Sequence, residues 1–195
     1  MPNRFRSRQT TLVVALAVAA AILTAPLYAS GDGRSSSRKH VKVELVSTGG
    51  AEAGVVKLTQ QGSNVIVRAD VEGLTPGFHG FHVHSVGECI PPFTSAGGHY
   101  NPAGTGHGSH AGDMPSLLVL VDGTAQLQFA TDNFTIAELF DADGTAIIVH
   151  ALPDNFANIP TRYQSTTEGR FGPDSATLAT GDAGGRVACG VVAGG

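Results

Sequence analysis

From His40 onward the chain is a succession of short runs in which apolar and polar residues alternate, each closed by Gly, Asn or Pro. Alternation with period two sends successive side chains to opposite faces, so such runs fold as strands and not as helices. Runs at 41–46, 54–60, 64–71, 81–85, 116–121, 125–130, 146–150 and 186–191 predict roughly eight strands, the pattern of an all-β sandwich or barrel. The 26 Gly and 10 Pro work against long helices and exclude a coiled coil. One short helix is expected over 135–140, where Thr135 and Glu138 have the spacing of a capping box. At 195 residues and 42% hydrophobic content the chain has material for one sizeable core.

Arg4, Arg6 and Arg8 precede an apolar run at 11–23, and small residues follow around Ala29 and Ser30, the layout of a secretory signal peptide cleaved after Ala29. An uncleaved anchor is the alternative, because the 19 residues of 11–29 could just span a bilayer, although Pro26 counts against it. Residues 30–39 are polar and aperiodic and read as a flexible linker, leaving 40–195 as the folded domain. Removing 1–29 leaves 9 basic against 16 acidic residues, a net charge of −7. That balance lacks the basic footprint of a nucleic-acid binder. With the leader removed, no stable membrane contact is expected, and the protein is expected to be secreted or held in the cell envelope. The only two cysteines are Cys89 and Cys189. In an exported chain an even pair suggests one disulfide, with two unpaired buried thiols as the alternative.

Two long stretches, 86–115 and 151–185, show no strand pattern; loops of that length in a compact domain are usually functional or disordered, and both read as built around a site. Histidine marks the first of them. Seven of the eight histidines fall between His79 and His150. His82 and His84, two apart on a predicted strand, point to the same face and can meet one metal. His99, His107, His110 and Asp113 follow in a Gly-rich loop, a set of imidazole and carboxylate donors suited to tetrahedral zinc. His150 ends the apolar run 146–149, so its imidazole needs a partner. Joined to His82 and His84 it gives an all-nitrogen site that suits copper better than calcium or magnesium.

Two runs of sequence carry a family resemblance. Gly-Phe-His-Gly-Phe-His-Val-His at 77–84 resembles the copper-site signature of the copper/zinc superoxide dismutases, and Gly-Asp-Ala-Gly-Gly-Arg-Val-Ala-Cys-Gly at 181–190 resembles their C-terminal signature. The resemblance implies a flattened eight-stranded Greek-key β-barrel with two long loops over the metal site. It implies His82, His84, His99 and His150 as copper ligands and His99, His107, His110 and Asp113 as zinc ligands, with His99 bridging the two. It makes Asp154 the carboxylate that links a copper-site histidine to a zinc-site one, His79 a hydrogen-bonding brace, and Arg186 the cation that guides superoxide to copper. Arg162 and Arg170 are weaker candidates for that steering. The Cys89–Cys189 disulfide anchors the loop beside the site. The implied activity is dismutation of superoxide to dioxygen and hydrogen peroxide, with Arg186 and His99 as the reacting side chains and protection against extracellular superoxide as the role.

The stretches around Cys89–Ser95 and Asp154–Pro160 look more like exported bacterial members than cytosolic eukaryotic ones. This departure puts the family's usual dimer interface in question, and a homodimer stays open. Two other readings compete. A copper or zinc buffer of the envelope would need the histidines but not Arg186. A zinc hydrolase would need a general base, yet no H-E-x-x-H motif and no Glu adjacent to a His is present.

Overall fold

The computed structural model describes residues 40–193. The predicted leader and linker lie outside the described residues. Among the described residues nine strands form: β1 (His40–Ser47), β2 (Glu52–Gln61), β3 (Asn64–Val71), β4 (Gly77–His79), β5 (Phe81–His84), β6 (Leu117–Val119), β7 (Ala125–Thr131), β8 (Thr145–His150) and β9 (Arg186–Val192). Seven make one antiparallel sheet in the order β5-β8-β9-β1-β2-β3-β7, and β4 pairs with β6 in a small ribbon. The chain runs from β4 to β5 through Gly80 alone, while β6 lies alongside β7. The strand order therefore returns to its start, and the all-β barrel expected from the sequence is what forms. The count rises from eight to nine because 77–84 changes partner at Gly80: β4 pairs with β6, and β5 with β8. A Cβ at Gly80 would stand 2.7 Å from Ala183 Cβ, so only glycine lets the strand turn this closely against the β9 approach.

Alternation decides what is buried. In β1, Val41, Val43 and Leu45 point inward and their neighbours are exposed. The same parity in β2 and β3 adds Val56, Leu58, Val65, Val67 and Ala69 to one core cluster. β8 departs from it, since all six residues are buried. Ile147 and Val149 join the main core, whereas Ala146 and Ile148 face a second cluster with Phe93, Ala96 and Cys189. β8 is thus covered on both faces, by the barrel interior and by the loop that follows β5.

The segment 135–140 keeps its capping box but forms only a 3-10 turn at Glu138–Phe140, with Thr135 N–H donating to Glu138 Oε2 at 2.7 Å. A helix absent from the sequence expectations, α1 (Ser175–Thr180), lies within the second long loop. Its signals are legible afterwards: Asp174 caps the N-terminus through Thr177 N–H, and Gly181 closes the C-terminus at φ 60°.

Candidate metal centre

β5 alternates like the other strands, with Phe81 and Val83 in the core and His82 and His84 on the opposite face. Opposite them on β8 stand Ile148 and Ala146, and His150 ends that strand beyond a register shift that pairs it with Arg186. The first long loop is laced back onto β5. Val83 N–H donates to Gly112 O at 2.9 Å and Tyr100 N–H to Val83 O at 2.8 Å, which sets His99 beside His84 and Asp113 beside His82.

Two donor groups result, and His99 belongs to both: His82, His84, His99 and His150 form one, and His99, His107, His110 and Asp113 the other. In the second, the Nδ1 atoms of His99, His107 and His110 lie 3.0, 3.2 and 3.4 Å from the single oxygen Asp113 Oδ1. His99 and His110 Nδ1 are 3.3 Å apart. A tetrahedron with metal–ligand bonds of about 2.0–2.1 Å has edges of about 3.3 Å, so these spacings suit zinc. In the first group, His84 Nε2 and His150 Nε2 approach to 3.2 Å, while their Nδ1 atoms bond the carbonyls of Gly97 and Gly184. Carbonyl bonds of that kind fix the tautomer and free the other nitrogen for a metal. His82 Nδ1 and His99 Nε2 are buried with no hydrogen-bond partner, and buried polar atoms seldom stay so. The residues fit copper and zinc.

Electrostatics agree. Burial, opposed by the Asp154 hydrogen bond, holds His82 down at about 4. Burial and the nearby His82 hold His150 at about 3, and burial, His99 and Arg186 hold His84 well below its usual range. These imidazoles are neutral at pH 7, with lone pairs free to bind metal. Burial likewise lowers His110. His107 runs the other way: burial pulls it down, but Asp113 and Asp154 raise it to about 9. Both carboxyls sit well below the carboxylate range: burial raises each, and hydrogen bonds to His107 and the neighbouring histidines more than offset this.

Asp154 joins the groups, its Oδ2 2.8 Å from His82 Nε2 and its Oδ1 2.8 Å from His107 Nε2. Phe156 N–H also donates to Oδ1, at 2.7 Å. His79 stays outside both donor groups and braces the barrel, with Nδ1 2.6 Å from His150 O and Nε2 2.8 Å from Thr75 O. Arg186 is half-buried and donates to the carbonyls of Phe93 and Gly97, and burial lowers its pKa from the ordinary value. Cys89 and Cys189 form the expected disulfide, with Cα atoms 5.7 Å apart. Arg162 lies over the Tyr163 ring and Arg170 pairs with Glu168. Sequence reasoning missed the carbonyls of Gly97 and Gly184 and the whole of α1.

Residues 52–192 match the family model for copper/zinc superoxide dismutase. The chain belongs to that family. Among curated relatives, the Cu-Zn superoxide dismutases of Mycobacterium tuberculosis and Mycobacterium bovis are each 48% identical over 141 residues, covering 67% of this chain and 59% of theirs. The chain thus spans about three-fifths of the length of these superoxide dismutases. A superoxide-dismutase-like protein from Bacillus subtilis superposes with a TM-score of 0.64 at 26% identity, covering 80% of this chain and 99% of that one. The Cu/Zn superoxide dismutase from Brucella abortus does so with a TM-score of 0.60 at 27% identity, over 79% of this chain and 99% of its own.

Proposed function

We propose that the protein dismutates superoxide to dioxygen and hydrogen peroxide, with copper held by His82, His84, His99 and His150 and zinc held by His99, His107, His110 and Asp113. The supporting observation is His99: its Nδ1 is 3.0 Å from Asp113 Oδ1, its Nε2 is buried without a partner, and it belongs to both donor groups. Copper, when bound, supplies the one-electron couple that removes an electron from one superoxide and gives it to a second. Two protons complete the balance, since two superoxide anions yield one dioxygen and one hydrogen peroxide. His99 holds and returns one of them at Nε2. Arg186 binds the anion: two of its N–H groups are fixed on Phe93 and Gly97 carbonyls, and the remaining donors and the permanent charge are free for a small oxyanion. Asp154 keeps His82 and His107 in their metal-binding tautomers.

We read residues 1–29 as an export leader and 40–195 as the catalytic domain, with a secreted or envelope location and a role against extracellular superoxide. The disulfide fits an oxidising compartment. A homodimer is compatible with this reading.

His150→Ala tests the assignment. Metal analysis of the variant, loaded with both metals, is expected to find zinc retained, copper lost and superoxide removal abolished. Full copper stoichiometry with intact activity would overturn the ligand set.

A further inference from the structure

The helix end that the mechanism leaves unused lies against the zinc donor group and against Asp154. The last carbonyls of a helix lack partners within it, and here two of those near the end of α1 accept from elsewhere. Leu178 O accepts from His107 N–H at 2.9 Å, and Gly181 O, just past the helix, accepts from Asn155 N–H at 2.9 Å. One side of this turn therefore holds the backbone of a zinc-group histidine, and the other holds the residue that follows Asp154. Side chains close the same gap. Asn155 Nδ2 donates to Asp182 Oδ2 at 2.6 Å, and Thr177 Oγ1 donates to that same oxygen at 2.8 Å. The Thr177 hydroxyl also lies 3.0 Å from Asp174 Oδ1, so its one proton faces two carboxylates, and the contact with Asp182 is the shorter. Asp182 stands at φ 55°, a left-handed conformation that costs a non-glycine residue energy unless its surroundings hold it there. Gly181 is pressed onto the centre so closely that a Cβ on it would lie 1.9 Å from Asp154 Oδ1 and 2.2 Å from His107 Nε2.

We propose that Asp182 is a positioning residue: by gripping Asn155 and Thr177 it latches α1 onto the Asp154 segment and so fixes the carboxylate that spans His82 and His107. The inference rests on reading the histidines as a two-metal centre. Asp182 touches neither a donor atom nor the substrate. Its effect passes through Asn155 to the orientation of Asp154, and through Thr177 to the α1 carbonyl that holds His107.

The test is zinc affinity of the full chain, measured by chelator competition, together with the visible spectrum of cobalt(II) loaded in place of zinc. Asp182→Gly accepts the left-handed backbone but removes both acceptor bonds, and is expected to weaken zinc binding about 10–100-fold, the usual effect of losing an outer partner of a metal ligand, with altered cobalt bands. Asp182→Asn keeps an oxygen that can accept from both donors and is expected to stay near wild type. Asn155→Asp sets two carboxylates against each other and is expected to weaken zinc as Asp182→Gly does. Combining it with Asp182→Asn restores a donor facing an acceptor and should recover the affinity. That exchange keeps the result decisive even if Asp182→Gly does not fold, because loss and recovery in an isosteric pair do not follow from general destabilisation. Wild-type affinity and an unchanged cobalt spectrum in Asn155→Asp would overturn the latch alone. Failure of the wild type itself to bind zinc tightly would overturn the two-metal reading on which it stands.

Discussion

Gly181 shows how little room the centre leaves at the scale of one residue. It combines a left-handed φ of 60° with a hydrogen where any other residue carries a carbon, and that carbon would fall on Asp154 Oδ1. The obstruction is a carboxylate oxygen held by two hydrogen-bonding groups, His107 Nε2 and Phe156 N–H, and not the free end of a flexible chain, so it cannot swing aside cheaply. Gly181→Ala is expected to destabilise the fold by roughly 1–3 kcal/mol, combining a φ penalty with displacement of a buried polar group. Urea titration should register this as a lower midpoint with little change in slope. A midpoint equal to wild type would mean that Asp154 and His107 move apart without cost. Sequence alone singled out the candidate donors that the fold brings together, because imidazoles two apart on a strand and a His–Asp set in one loop are read from type and spacing. It could not locate Gly97 and Gly184, whose carbonyls orient His84 and His150. A carbonyl carries no residue signature, and its aim depends on the path of the folded loop.

Elements were legible in proportion to their periodicity. β1 and β3 alternate cleanly and match the predicted runs within a residue or two, and β6 forms inside the predicted run 116–121, whereas β4, three residues long, is too short to show a period. α1 was missed because its six residues span fewer than two turns and present only Thr177 to the interior. Its presence depends more on its caps than on an apolar stripe, and this makes it sensitive to acid. Hydrogen bonds from Ser165 and then from Thr177 hold the Asp174 carboxyl at about 2, below its ordinary 3.8. A carboxyl with a depressed folded pKa stabilises the fold fully above the ordinary value and loses that contribution as pH falls toward the folded one. The thermal midpoint of wild type should therefore exceed that of Asp174→Ala at pH 5 and above, and the gap should narrow between about pH 4 and pH 2. A gap constant across that window would show that the cap acts through something other than its charge.

Taken whole, the chain beyond residue 29 is acidic yet is read as attracting an anion. After residues 1–29 are set aside the charge is −7, so the field far from the centre repels superoxide, while Arg186 supplies a local cation beside His150. Which field governs encounter is decided by range. Salt at physiological strength screens charges beyond about 8 Å, and focused fields in a cleft can raise on-rates by about 10–1,000-fold. If Arg186 dominates, rising salt should slow superoxide removal, and Arg186→Glu should slow it sharply with copper still bound. A rate that climbs with salt would mean instead that the acidic surface controls approach. The disulfide and the pairing of β8 with β9 bear on a different matter, the timing of assembly. Every candidate metal donor has been synthesised by His150, but Cys189, Arg186, Gly184 and α1 all lie later in the chain, and β8 acquires its second neighbour only when β9 arrives. A nascent chain that has emerged only as far as Asp154 holds all of the candidate ligands together with Gly97 and Asp154, but lacks Gly184, α1 and β9, which complete the frame around them. Capture of metal that depends on the complete geometry is therefore expected only once β9 is in place.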